Sequence, residues 1–204
     1  MKGFFALFSN SARELKSIRT LTTTGVLMAV AIVLRSTAIQ ITTDLRISFA
    51  FLSIAIIGML FGPVIGGMAG FGTDFIGFLF DKTGNAYYFP LSLVAILSGV
   101  IYGIFLYKKD VGAKRFIILA GFSRVVVVLV CNLCLNSYLL YTGFINKNFS
   151  IFSAEGWNSF FTWIVASQRI TKNAIQLPFD IILMCTLLPV AYFAFKRVRK
   201  SYAR

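Results

Sequence analysis

Four ionisable side chains sit inside long apolar runs of this 204-residue chain: Arg35, Asp74, Arg124 and Asp180. Charges in such surroundings are costly and by default mark pairing or ligand recognition. At 1.5 Å per helical residue, Arg35 and Asp180 each lie about 22 Å from the inner ends of their segments, Arg124 about 12 Å and Asp74 about 15 Å from theirs. Depth therefore allows two buried ion pairs, Arg35–Asp180 and Arg124–Asp74. A second constellation opens the last apolar run, where Arg169, Lys172, Asn173 and Gln176 follow offsets of three, four and seven and share one helical face. Asn132 and Asn136, four residues apart, add polar groups in the preceding run, and Arg46 adds a cation nearby. One reading is an outer collar of snorkelling cations balanced by Asp44, Asp81 and Glu155. The other is a convergent set of donors for an anionic ligand with a hydrogen-bonding head, held in an apolar and aromatic pocket.

Catalytic and metal chemistry find little support. The chain has no His, which removes every imidazole scheme. No nucleophile and base pair on one helical face, so an enzyme is not expected. Cys131 and Cys134 match a CxxC spacing, but they lie among Val and Leu with no cation nearby to favour a thiolate, and Cys185 is equally embedded. Apolar packing is the expected role, with no metal and no disulfide framework.

The elements that must position these groups are membrane helices. Apolar residues make up 58% of the chain and charged residues 13%, against about 25% charged in a soluble domain. A bilayer core needs roughly 20 apolar residues per helix. Six segments qualify, at 20–41, 47–61, 64–80, 89–107, 116–141 and 170–195, giving one all-α integral membrane domain over 1–204. Gly62-Pro63 separates the second from the third. The net charge of +13 does not signal a nucleic-acid binder, because the cations gather at the ends of apolar spans. Thirteen of the 20 cations fall at the N-terminus, after the fourth segment and at the C-terminus. An even number of spans puts those three groups on one side, and the positive-inside rule makes that side cytoplasmic, with both termini.

Small residues repeat at four-residue spacing in Gly62/Gly66/Gly70, Gly99/Gly103 and Gly25/Ala29, a spacing that lets backbones approach closely in lipid. Internal packing is expected for the first two sets. Gly25 and Ala29, near the cytoplasmic end of the first segment, could instead receive a partner subunit. No G-x-x-x-x-G-K-[ST] loop occurs, so the chain does not energise transport by that route. A pocket without an engine suggests a subunit.

The residue strings are consistent with that. Leu45-Arg46-Ile47-Ser48-Phe49, Gly58-Met59-Leu60-Phe61-Gly62-Pro63, Asp74 with Gly77, Tyr88-Phe89-Pro90, Ile101-Tyr102-Gly103-Ile104-Phe105-Leu106, Leu135-Asn136 and Arg169-Ile170-Thr171-Lys172-Asn173 with Pro178 follow one another in an order that resembles the folate-specific S components of energy-coupling factor (ECF) vitamin transporters. The chain departs from the family at Phe89-Pro90-Leu91-Ser92 and at Phe80-Asp81-Lys82-Thr83-Gly84. The resemblance implies a six-helix S-component bundle in a bacterial cell membrane. It implies folate capture from outside, a transmembrane coupling subunit and two cytoplasmic ATPases that use ATP, with no cofactor in this chain. Its glutamate tail would want Arg35, Arg46, Arg169 or Lys172, and its pterin edge Asn132, Asn136, Asn173 or Asp74. Tyr87, Tyr88 and Phe89 would supply aromatic walls. Another vitamin, a modified base, or a small membrane-embedded enzyme are the competing readings.

Overall fold

The computed structural model describes residues 2–37, 39–40, 46–80, 87–107, 112–145 and 154–201. Helices α1 (Lys2–Glu14) and α2 (Ile18–Ser36) are followed by a two-residue antiparallel pair, β1 (Ile39–Gln40) and β2 (Arg46–Ile47). Helices α3 (Ala50–Phe61) and α4 (Pro63–Leu79) come next, then a single 3₁₀ turn at Phe89–Leu91 that leads into α5 (Ser92–Leu106). Helix α6 (Ala113–Val127) runs on through a π-helical stretch, Val128–Asn136, the short α7 (Ser137–Leu140) and a second π stretch, Tyr141–Ile145. Helices α8 (Ala154–Ala166) and α9 (Arg169–Ser201) complete the chain.

Four of these stretches are long and apolar enough to cross a bilayer: Ile18–Ser36, Phe89–Leu106, Lys114–Ile145 and Arg169–Lys196. Helices α3 and α4 are apolar but shorter, at 12 and 17 residues. Large apolar side chains such as Val26, Phe122, Ile182 and Val190 are exposed around the bundle, as a lipid-facing surface requires.

The bundle is organised by the contact between α4 and α5. A Cβ at Gly66 would collide with the carbonyl of Gly99, and one at Gly70 with the carbonyl of Ala95. Gly58 of α3 approaches the same seam, since a Cβ there would lie 2.9 Å from the amide nitrogen of Gly103. The first two small-residue sets thus serve internal packing. Around Gly25, in contrast, a Cβ would meet nothing within 4 Å, and Ala29 is exposed.

The α3–α4 elbow rests on a residue from far away in sequence. Gly62 adopts φ +92°, a left-handed conformation that favours glycine, and Pro63 starts α4 with a ring preset for a helical first turn. The fully buried Ser11 of α1 closes the junction. Its hydroxyl donates to the Phe61 carbonyl at 2.7 Å and accepts from the amides of Val64 and Ile65 at 3.1 and 3.4 Å. Helix ends leave such groups unpaired, and one side chain here satisfies both the end of α3 and the start of α4. Neither α1 nor α8 was expected as a helix from the apolar pattern, because both are too short or too mixed in composition to read as spans. The first apolar helix ends at Ser36 rather than Ile41, where the chain turns toward β1.

The internal charges pair, but with exchanged partners. Arg35 Nη1 donates to Asp74 Oδ1 at 2.8 Å, joining α2 to α4. Arg124 donates through Nε and Nη2 to Asp180 Oδ2 at 3.2 and 2.6 Å, joining α6 to α9. The expectation of Arg35–Asp180 and Arg124–Asp74 is therefore corrected. It assumed that every helix starts at a common depth. Helix α4 instead starts at an elbow sealed over by α1, while α9 continues to Ser201, so levels counted from helix ends are offset from one another.

The Arg124–Asp180 pair is almost wholly dry, at 5% and 1% residual exposure. Removing one member strands the other in the apolar interior. Asp180→Ala is expected to cost about 3–5 kcal/mol of stability. Adding Arg124→Met to that variant should recover most of the loss. Thermal unfolding of the three variants in one detergent reads this; a double variant no more stable than Asp180→Ala would show that the loss has another source.

Candidate ligand cavity

A cavity of about 370 Å³ lies between α3, α4, α5, the α6 extension and α9. That volume falls in the range of small-molecule sites. Helix α3 and the residues before it supply Ser48, Phe51 and Ile54. Helix α5 and the turn before it supply a stripe from Leu91 through Val94, Ala95 and Ser98 to Tyr102, spaced by three and four residues so that they share one side. The remaining wall is polar: Arg124, Asn132 and Asn136 from α6 and its extension, and Gln176 from α9. A smaller cavity of about 120 Å³ shares Asp74, Phe51 and Ser98 and adds Arg35 and Thr73.

The π-helical register of Val128–Asn136 helps to aim the two asparagines. With i→i+5 hydrogen bonds the turn widens, so residues four apart stay close to one face, and such segments recur at functional sites. Asn136 Oδ1 is buried with no hydrogen-bond partner among the described residues, leaving an acceptor for whatever fills the cavity.

Asp74 is the hub of the opposite wall. Besides Arg35 it faces the Tyr87 hydroxyl at 3.3 Å and the Ser92 hydroxyl at 3.1 Å; those two hydroxyls also bond to each other, so one donates to the other and the second donates to the carboxylate. This carboxylate is balanced by a cation and saturated with donors. It ties the start of α5 to α2 and α4 and thereby shapes the cavity. Tyr87 also packs edge-on against Phe75, while Tyr88 packs against Phe144 and Gly143. Adjacent tyrosines thus fasten this connection to two different parts of the bundle.

At the inner end, Arg124 lies over the Phe51 ring, 3.9 Å from its centroid, and donates through Nη1 to the Tyr102 hydroxyl at 2.8 Å. One guanidinium thus connects α3, α5, α6 and α9.

Of the residues singled out from sequence, Asp74, Arg124, Asn132, Asn136 and Gln176 line the main cavity, and Arg35, with Asp74, the smaller one. Arg169, Lys172, Asn173 and Tyr88 do not border either. Arg169 lies over the Trp163 ring, 4.9 Å from its centroid, and donates to Ser137 Oγ at 3.5 Å; Asn173 donates to the Arg169 carbonyl at 2.9 Å. Lys172 is half-buried on the same face, one turn above the cavity residue Gln176. Arg46 pairs through its backbone in β2, and its side chain lies outside the described residues, as do Asp44, Asp81 and the side chain of Glu155. Sequence reasoning missed Tyr102, Ser98 and Ser48 as wall residues and assigned Arg124 only to pairing. The signal was present in α5, where Ser98 and Tyr102 are polar positions on an otherwise apolar stripe. Among the described residues no group of three or more His, Cys, Asp or Glu is arranged to hold a metal, and the three cysteines are free.

Residues 19–188 match the family described as the substrate-specific component of ECF transporters. A "Folate transporter FolT" of Clostridium novyi (strain NT) is 38% identical over 91 residues, covering 45% of this chain and 52% of the relative, so the match spans about half of that protein. A "Folate transporter FolT" of Leuconostoc mesenteroides is 28% identical over 158 residues, 77% of either chain. A solved structure, "Crystal structure of FolT bound with folic acid", superposes with a TM-score of 0.64 at 31% identity, covering 83% of this chain and 91% of that one. The family match takes in the elements from α2 to most of α9. This chain belongs to the substrate-specific components of ECF transporters, which are transport subunits and not enzymes.

Proposed function

We propose that this protein captures folate from the outer face of a bacterial cell membrane and delivers it together with a transmembrane coupling subunit and two cytoplasmic ATPases. The observation that carries the reading is a polar-walled cavity whose α9 wall continues outward as a line of nitrogen donors. Gln176 borders the cavity, Lys172 follows about 6 Å further along the helix and Arg169 about 10 Å further. A ligand with a flat hydrogen-bonding head and a carboxylate tail fits that order: the head among Asn132, Asn136 and Tyr102, the tail along Lys172 and Arg169. Two relatives named as folate transporters and a related structure holding folic acid support the same ligand.

In this reading the bundle crosses the membrane six times, with α3 and α4 as the two short spans beside the four long helices, and both termini are cytoplasmic. Helix α3 would rise only about 18 Å, which is short for a core about 30 Å thick. The elbow at Gly62 then lies within the membrane, with α1 beneath it. The end of the bundle that holds α1 also carries the exposed cations Arg13, Lys16, Lys114, Arg115 and Lys196, as the positive-inside rule asks of a cytoplasmic face.

Charge-assisted hydrogen bonds are worth roughly 1.5–3 kcal/mol, so losing one carboxylate contact should cost about tenfold or more in affinity. Lys172→Met is accordingly expected to weaken folate binding at least about tenfold, while pteroic acid, which lacks the glutamate tail, is little affected. Titration of both ligands against purified parent and variant isolates the tail contact. Equal losses would indicate general damage, and unchanged folate affinity would remove Lys172 from the site. A parent protein that binds folate no better than millimolar would sink the ligand assignment itself.

The coupling subunit is assigned to the exposed Gly25–Ala29 face of α2, where small residues allow a close helix approach. Ala29→Trp should abolish uptake by the assembled transporter and leave folate binding by the isolated subunit unchanged. Since this face is open in the bundle, the ring has room there. Loss of binding along with uptake would place Ala29 in internal packing instead.

A further inference from the structure

Tyr102 retains 1% of its surface, yet it borders the cavity. Its hydroxyl oxygen accepts from Arg124 Nη1 at 2.8 Å. A guanidinium has donors and no acceptor, so this bond settles the direction of the pair: the tyrosine oxygen accepts there and its own proton must go elsewhere. Among the described residues no acceptor takes that proton. A buried donor left without a partner is costly, and such a group in a cavity wall points to a ligand.

The arrangement behind Tyr102 keeps it in that state. Arg124 cannot swing away, because Nε and Nη2 both donate to Asp180 Oδ2 and Phe51 covers the face of the guanidinium. Asp180 also balances the charge of Arg124, so the inner end of the cavity has no net charge with which to draw a carboxylate. It suits a neutral, strongly polar acceptor. The same cavity carries the opposite polarity in Asn136 Oδ1, a buried acceptor without a described partner. A donor without an acceptor, at an end with no net charge, complements a neutral ring carbonyl such as that of a heteroaromatic lactam.

We infer that Tyr102 is a specificity-determining residue of this site: its hydroxyl donates to the ring carbonyl of a heteroaromatic lactam, and Arg124 and Asp180 act as the residues that position it. The inference rests on the folate reading and adds which polar edge the inner end selects. It makes the protein discriminate between the lactam ring of folate and the 4-amino analogue, in which the carbonyl acceptor is replaced by an amino donor. In the analogue two donors face each other at Tyr102.

The test is a cycle of two ligands against two proteins, by equilibrium titration of folate and its 4-amino analogue with the detergent-purified parent and with Tyr102→Phe. The parent is expected to prefer folate. Tyr102→Phe should lose about tenfold in folate affinity and change little toward the analogue, so the preference narrows by about that factor. Thermal unfolding of both proteins accompanies the titrations, and a folded variant that keeps the parent's preference ratio overturns the proposal. A parent that binds both ligands equally overturns it as well, without recourse to any variant. A parent that binds neither ligand would instead defeat the folate reading.

Discussion

Close backbone approach between α4 and α5 sets the geometry of everything else in this bundle. Lipid supplies no hydrophobic force to press helices together, so contact depends on how near two backbones can come. The Gly66–Gly99 and Gly70–Ala95 contacts bring the carbonyls of one helix against the Cα atoms of the other, leaving no space for a side chain between them. At this seam Ile96 and Val100 of α5 pack onto Gly67 of α4, while Leu91, Val94, Ser98 and Tyr102 line the cavity. The seam and the cavity wall are two faces of one helix.

Charge placement supplies the second constraint. The two internal ion pairs differ in burial, and the difference matches their positions. Arg35 and Asp74 keep roughly a third and a fifth of their side-chain surface, and the carboxylate shares its load with Tyr87 and Ser92. Arg124 and Asp180 are nearly dry, and a buried pair of this kind contributes little net stability compared with apolar residues of similar size. What it contributes is fixed direction. Four helices meet through one guanidinium whose donors are allocated to particular oxygens.

The amino-acid sequence carries much of this plainly. Apolar length located the long helices, and four-residue glycine spacing located the seam. The polar i, i+4 pair Asn132/Asn136, together with Asp74 and Gln176, located half of the main cavity's polar lining. What failed did so for identifiable reasons. Partner choice between Arg35, Asp74, Arg124 and Asp180 depends on lateral neighbours and on relative helix offsets, and neither is encoded in distance from a helix end. Helix α8 (Ala154–Ala166) buries Phe160 and Ile164 against Tyr141, but its mixed composition hides that face in a linear reading. Tyr102 was not read as a wall residue because a tyrosine in an apolar run ordinarily reads as packing, and its hydroxyl's free proton becomes apparent only when the direction of the Arg124 bond is known.

The Ser11 clamp bears on the order in which the chain can be completed. Its partners Phe61, Val64 and Ile65 lie 50 to 54 residues downstream. Synthesis runs from the N-terminus, so α1 leaves the ribosome well before the elbow it serves exists. Until α3 and α4 have entered the membrane as a pair, the carbonyl of Phe61 and the amides of Val64 and Ile65 have to be hydrated. Closing the junction therefore expels water from a site beneath the cavity, and the segment that was made first performs it.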